Sequence, residues 1–274
     1  TMPTIGSRPP GAPFGNAAAG DAPTRPERVA TYAAAPPEVL SAFLGLLTLT
    51  DRGKEYLAGR CIGEATARRF NLRSLDTPGA VIGEMKDRFP GDALCASGLF
   101  TRKQRKNGGD PLQFLFTVPS IIIPVFENGA PVYFLGREIG GPGKMKPHGI
   151  PQHPLTGDFN PDEEGDLFLF EGAFDALSYF ELTGKENFLA LHGVPSVHRF
   201  GEIVEVYPRR RVILALDNDE TGHRMAAAIQ AAFTRAGAPV EWWGDLKVRH
   251  GITAPMKDLN EILCAIRERG FCAA

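Results

Sequence analysis

The sequence predicts an α/β protein in which a mixed helical and antiparallel amino-terminal part leads into a carboxy-terminal part built on a central parallel sheet. Short apolar runs alternate with helical patterns after residue 166, which is how a parallel sheet with crossover helices is written. An Asn-Gly pair at 128–129 sits between two apolar segments, the signature of an antiparallel hairpin. Two acidic segments, Glu171-Gly172-Ala173-Phe174-Asp175 and Asp217-Asn218-Asp219-Glu220-Thr221-Gly222, each follow an apolar run and open a helical pattern. Strand ends therefore deliver both to one edge of that sheet.

Residues 1–37 are crowded with Pro, Gly and Ala and read as a flexible leader. From Pro37 the pattern turns helical, with Val39, Leu40, Phe43, Leu46 and Leu47 on one face. Residues 55–70 then read as helix, turn at Ile62-Gly63, and helix. Between residues 81 and 139 come shorter apolar segments, Phe114 to Val118, Ile121 to Phe126 and Val132 to Leu135, the last two forming the hairpin. An acidic loop over 161–166 separates this part (38–160) from the carboxy-terminal domain (161–274). There the expected strands are Leu167 to Phe170, Phe188 to Leu191, Val212 to Leu216 and Val240 to Trp243. The expected helices are Phe174 to Leu182, Val197 to Val206, Met225 to Arg235 and Leu259 to Arg269.

The chain has 274 residues, 43% of them hydrophobic, enough for a substantial core. Its formal charge of −2 excludes a uniformly basic nucleic-acid coat, so any such contact falls on local basic segments. Cys61, Cys95, Cys264 and Cys272 lack Cys-x-x-Cys spacing, which argues against a zinc ribbon or a secreted disulfide framework and for reduced thiols in the cytoplasm. No signal peptide is legible, and the apolar stretch 120–126 is too short for a membrane span. The six histidines show no paired metal-ligand spacing, and no Gly-x-Ser-x-Gly elbow supports a serine hydrolase.

Carboxylates gathered at a sheet edge repel: one like-charge pair at about 4 Å costs roughly 4 kcal/mol at an effective dielectric of about 20. A divalent cation, a shared proton or wide separation relieves this. Glu171, Asp217 and Asp219 are hard oxygen donors suited to Mg2+ or Mn2+. Asp217 and Asp219 can equally cap the helix that follows them. Asp175 and Asp258 are candidate ligands for another cation or for water, and Asp175 also suits a first-turn helix charge. Asn260 and Glu261 support the loop or begin the last helix.

The basic candidates are Arg137, Lys144 and Lys146 on a glycine-punctuated segment, where cations and close backbone approach suit phosphate. Gly143-Lys144 is not a phosphate-binding P-loop, because Glu138 stands at the required glycine and Met145 at the hydroxyl position. Arg102, Lys103, Arg105 and Lys106 precede Asn107-Gly108-Gly109 and form a second basic loop suited to nucleic-acid backbone or simply to solvent. Arg209, Arg210 and Arg211 read as a solvated strand entrance.

In order and spacing, Glu171-Gly172 with Asp175-Ala176-Leu177, then Asp217-x-Asp219-x-x-Gly222, then Lys257-Asp258-Leu259-Asn260-Glu261, resemble the three motifs of the TOPRIM domain of primases, topoisomerases and some nucleases. Ile123-Pro124-Val125-Phe126 with Gly129, Phe134-Leu135-Gly136-Arg137 and Gly143-Lys144-Met145-Lys146 resemble the amino-terminal half of the bacterial replicative primase core. Tyr56-Leu57, Arg60 and the stretch 67–70 resemble its helical entry. The resemblance covers about residues 50 to 265.

It implies an α+β amino-terminal subdomain joined to a Rossmann-like TOPRIM subdomain. It also implies synthesis of short RNA primers on single-stranded DNA from nucleoside triphosphates. Glu171, Asp217 and Asp219 would be catalytic through Mg2+ or Mn2+, and Arg137, Lys144, Lys146, Lys257, Arg102 and Lys103 would meet nucleotide or DNA. A replicative helicase or a zinc-binding module supplied elsewhere would be the partner, since this segment carries neither the zinc module nor the helicase-docking domain of replicative primases. Residues 147–154 depart from the family's usual stretch, and the Lys257 to Glu261 segment is closer to phage primase-helicases and plasmid mobilisation proteins. A TOPRIM nuclease using the same acids and a DNA-binding accessory of a replication or mobilisation protein are the alternatives.

Overall fold

The computed structural model describes residues 35–103, 111–141, 144–149, 155–158, 164–192, 210–235, 240–242 and 256–268. Several expected features lie outside them: most of the leader, Arg105 and Lys106 with the glycine loop 107–109, Gly143, residues 150–154, the start of the acidic loop, the helix over 197–206, Arg209, Trp243, Arg269 and Cys272.

The chain enters through α1 (Pro37–Gly45), which starts on a proline whose fixed φ suits a first turn and buries Val39, Leu40, Phe43 and Leu44. Helix α2 (Asp51–Gly59) is capped by Thr50, whose side chain accepts the Gly53 N–H at 3.3 Å. A tight turn leads to α3 (Glu64–Arg69) and the short strand β1 (Arg73–Leu75).

Two helices follow where only short apolar segments were read, α4 (Pro78–Arg88) and α5 (Gly91–Ala96). Helix α4 buries just Val81 and Met85, one turn apart, too sparse a stripe to stand out among its glycines. Strands β2 (Phe100–Arg102) and β3 (Leu112–Phe114) pair antiparallel. Of the apolar segment 114–118 only Phe114 is in a strand, and Val118 is exposed.

Strands β4 (Ser120–Glu127) and β5 (Ala130–Glu138) form the expected hairpin, with Asn128 at φ 51° and Gly129 at φ 78°, the left-handed pair that a type I′ turn requires. With β6 (Met145–Pro147) they make an antiparallel sheet in the order β1-β4-β5-β6. Alternation divides its residues between two cores. Ile122 and Phe134 pack with Phe43 and Phe116 on one face. Ile121, Ile123, Tyr133 and Leu135 on the other join Phe170, Phe174, Leu177 and Ile262. Phe134 meets Phe43 edge-on at 4.9 Å with no exposed surface, a position where truncation to alanine costs about 3–5 kcal/mol.

The second sheet has the order β11-β10-β8-β9-β7. Strands β8 (Gly165–Phe170), β9 (Phe188–Ala190), β10 (Arg210–Ala215) and β11 (Val240–Trp242) are parallel, as the alternation of runs predicts. An antiparallel edge strand, β7 (Leu155–Thr156), pairs with β9 and was not anticipated, being only two residues long. Helices α6 (Ala173–Thr183), α7 (Glu220–Arg235) and α8 (Leu259–Glu268) accompany it. Helix α7 begins at Glu220, a turn before the first apolar residue that betrayed it. Arg210 is buried, not solvated, while Arg211 makes the surface pair with Asp166 at 2.7 and 2.9 Å. Cys61, Cys95 and Cys264 are free thiols. No helix among the described residues is long and apolar enough to cross a membrane.

Candidate metal and nucleotide site

Phe170 is level with Ala215 on β10 and with Ala190 on β9, so the three strands finish in line. Glu171 and Leu216 come next, and Asp217 one residue further. Parallel register alone therefore gathers the first two acidic motifs at the carboxyl edge, the usual ligand edge of such sheets.

Local turns then aim the side chains. Asp219 Oδ1 accepts the Gly222 N–H at 2.9 Å, capping α7. A Cβ on Gly222 would lie 1.9 Å from the Asp217 carbonyl oxygen, so only glycine permits this turn. The third motif closes onto the second. Asn218 N–H donates to the Lys257 carbonyl at 2.7 Å, and the Lys257 ammonium stands 3.0 Å from Asp217 Oδ2 and 3.2 Å from Asp219 Oδ2. Capping and ion pairing thus coexist in Asp219, one on each oxygen.

Asp175 and Asp258 act at the start of α8. Asp258 Oδ1 accepts the Glu261 N–H at 2.9 Å, while Glu261 reaches back to the Lys257 N–H at 2.7 Å, much like a capping box. Asp175, 8% exposed, accepts the Leu259 N–H at 3.1 Å from across the interface between α6 and α8. Asn260 is also buried and donates to the Arg60 carbonyl and to Ser178 Oγ, which is the supporting role expected of it.

The electrostatics follow from crowding. Burial, reinforced by Asp217 and Asp219 and opposed by Lys257, raises the Glu171 carboxyl to about 7. Burial also lifts Asp175, with Asp258 and Asp217 adding to it. Asp217 is raised as well, since burial outweighs its pairing with Lys257. Asp219 is lowered, first by the Gly222 N–H. Lys257 is raised by its hydrogen bonds to Asp217 and Asp219.

The donor set fits a hard divalent cation in its chemistry. Glu171 Oε2 is buried with no hydrogen-bond partner among the described residues, an unusual condition for a carboxylate oxygen. Two further oxygens, on Asp217 and Asp219, are already engaged by one positive charge. As they stand, no three His, Cys, Asp or Glu groups among the described residues are close enough to clasp one ion.

The basic candidates separate. Arg137 on β5 is joined to the acidic edge: its Nε–H donates to the Tyr56 hydroxyl at 3.1 Å, and its guanidinium lies 5.7 Å from the centre of the Phe174 ring. Arg60 covers the same ring at 5.6 Å. This cluster, with Phe174 three residues beyond Glu171, was not read from the sequence, where Tyr56 and Arg60 carried only a resemblance. Lys146 pairs with Gly136 and Met145 with Arg137, so the pleat puts Lys146 on the opposite face of the sheet from Arg137. Lys144 is exposed just before β6, its carbonyl accepting the Glu138 N–H at 3.1 Å. Arg102 ends β2 and Lys103 follows it, beside the β2–β3 pair whose Phe100 and Phe114 belong to the Phe43 core; Arg102 is paired with Asp92 at 2.6 Å.

Comparison with known proteins shows what this arrangement is similar to. Residues 168–263 match the family model described as Toprim-like, which runs from within β8 to the middle of α8 and contains all three acidic segments. The whole described fold is that of primase catalytic cores. The chain superimposes with a TM-score of 0.62 on the zinc-binding and RNA polymerase domains of the Aquifex aeolicus primase, at 20% identity, covering 86% of this chain and 58% of that one. A DNA primase domain from Pseudomonas aeruginosa matches with a TM-score of 0.62 at 17% identity, covering 86% of this chain and 78% of that one. The DnaG primase catalytic domain bound to single-stranded DNA gives a TM-score of 0.62 at 15% identity, with coverages of 86% and 75%. Searching curated protein sequences returned no match.

Proposed function

We propose that the chain is a primase-type nucleotidyltransferase core that makes short RNA primers on single-stranded DNA. One observation carries the reading: a TOPRIM acidic edge is set beside the Arg137, Tyr56 and Phe174 cluster, within a fold that covers 86% of this chain when laid on a primase catalytic domain bound to single-stranded DNA.

In this reading Glu171, Asp217 and Asp219 hold Mg2+ or Mn2+. The ion, when bound, would offset triphosphate charge and make the attacking 3′-hydroxyl easier to deprotonate. The new bond joins the 3′-oxygen to the α-phosphorus as the bond to the leaving pyrophosphate breaks. Burial and the charges of Asp217 and Asp219 raise the Glu171 carboxyl while no cation is bound, so the ion would take the place of its proton on binding. Arg137, preset by the Tyr56 hydroxyl and the Phe174 ring, presents a guanidinium to nucleotide phosphate. Asp175 and Asp258 fix the third motif and have the rank of positioning residues. Lys144 and Lys146, with Arg102 and Lys103 on the Phe43 side, bear on template backbone, giving weak and salt-sensitive binding. The domain limits we assign are 38–160 and 161–274, with a zinc-binding module or replicative helicase as partner in the cytoplasm.

The test is incubation with labelled single-stranded DNA, Mg2+ and the four ribonucleotides. Ribonucleotide-dependent products that vanish in Asp217→Asn support synthesis. Shortening of the DNA without nucleotides supports a TOPRIM nuclease, and binding without product under any metal supports an accessory DNA-binding role.

A further inference from the structure

We infer that Lys257 is an internal counter-ion of the acidic edge, which a divalent cation must displace before Lys257 can meet a nucleotide phosphate. The inference deepens the proposed function and rests on its assignment of Asp217 and Asp219 as cation ligands.

Lys257 Nζ lies 3.0 Å from Asp217 Oδ2 and 3.2 Å from Asp219 Oδ2. Among the described residues, no other cation pairs with either carboxylate. Asp219 commits Oδ1 to the Gly222 N–H that starts α7, which leaves Oδ2 as the oxygen to offer an ion. That is the oxygen the ammonium holds. A cation binding between these acids therefore competes for the same lone pairs, and two positive charges cannot share them at hydrogen-bond range without strong repulsion.

The way Lys257 is mounted suits an exchange. Its backbone is fixed at both polar groups: the carbonyl accepts the Asn218 N–H at 2.7 Å and the N–H donates to Glu261 at 2.7 Å. Its side chain remains 53% exposed, against 14% for Asp217. A fixed base with a long, half-exposed stem lets the ammonium swing without disturbing α8. Lysine suits this better than arginine, because a compact charge on a flexible chain lets go of two oxygens more readily than a planar fork does. While no cation is present, the ammonium relieves the repulsion between the acids. Once displaced, it remains anchored beside them as a positive charge for the phosphates that arrive with the ion.

The test is Mn2+ titration of the full chain, with free Mn2+ read by electron paramagnetic resonance, on wild type, Lys257→Met, Lys257→Arg and Asp217→Asn. Releasing a charge-assisted pair that is partly solvent-screened should tighten Mn2+ binding by Lys257→Met roughly three- to tenfold. Lys257→Arg should bind no more tightly than wild type. Lys257→Gln takes the place of the methionine variant if circular dichroism shows that the latter does not fold. Equal or weaker Mn2+ binding by the folded neutral variant overturns the inference and leaves the acidic-edge assignment standing. Absence of Mn2+ binding in wild type, or binding undiminished in Asp217→Asn, overturns that assignment and the inference with it.

Discussion

Arg60 and Asn260, 200 residues apart in sequence, hold each other in both directions: the Asn260 amide donates to the Arg60 carbonyl at 2.8 Å, and an Arg60 Nη–H donates to the Asn260 side-chain oxygen at 3.2 Å. The same amide reaches Ser178 Oγ at 2.9 Å. The end of α2, helix α6 and the start of α8 are thus tied through one buried side chain, in the motif that also carries Lys257. Asn260→Ala leaves buried polar groups unpaired and should cost about 2–3 kcal/mol. At about 2–4 °C per kcal/mol for a chain of this size, Tm should fall by roughly 4–12 °C. A melt within about 1 °C of wild type would show that the network contributes nothing net.

Asp219 allows its two roles to be separated. Asparagine caps a helix about as well as aspartate, so Asp219→Asn should keep stability within about 0.5 kcal/mol of wild type while losing the charge that faces Lys257. Asp219→Ala loses both and should be less stable by about 1 kcal/mol. Primer synthesis should fall by at least about a hundredfold in both variants. Comparing melts with product yields checks the division.

Arg137 is held by geometry that lysine cannot reproduce, a hydrogen bond through Nε and a flat approach to Phe174. Arg137→Lys should therefore impair nucleotide use nearly as much as Arg137→Ala, roughly tenfold or more in kcat/KM. A lysine variant close to wild type would mean that charge alone suffices.

Glu171 and His192 give opposite pH dependences. Burial raises Glu171 from 4.5 to about 7, so its contribution to stability is full below about 4.5 and is lost as pH rises towards 7. Burial lowers His192 from 6.5 to about 3, and its Nε2 accepts the Leu155 N–H at 3.0 Å as a neutral ring. The stability it contributes is full above about 6.5 and is lost as pH falls towards 3, by at most about 1.4 kcal/mol per pH unit. Glu171→Gln should therefore melt higher than wild type at pH 8 while losing activity, and should fall more steeply in Tm between pH 6.5 and 4.5. Melts across that range check both signs.

The parallel sheet and its acidic edge were legible because each signal is local: β8 and β10 each end in a continuous apolar run, Leu167 to Phe170 and Val212 to Ala215, and acidic residues mark where the runs stop. The hairpin was legible from Asn128-Gly129 for the same reason. Helix α4 was missed because tertiary packing of Val81 and Met85, not a full amphipathic stripe, holds it. Strand β7 was missed because two residues carry no periodicity. The division of the basic set was beyond sequence reading, since Arg137 and Lys146 part company only through the pairing of β5 with β6. Lys257 likewise acquires its place from a loop closed by the Asn218 N–H, a contact between segments about 40 residues apart.

The most direct measurement is the anomalous map of a crystal soaked in Mn2+. The account predicts a peak within coordination distance, roughly 2.0–2.3 Å, of carboxylate oxygens of Asp217 and Asp219 with Glu171 facing it, and Lys257 Nζ drawn away from both aspartates. A map with no peak at that edge, or with the ion elsewhere while Lys257 still bridges Asp217 and Asp219, would contradict it.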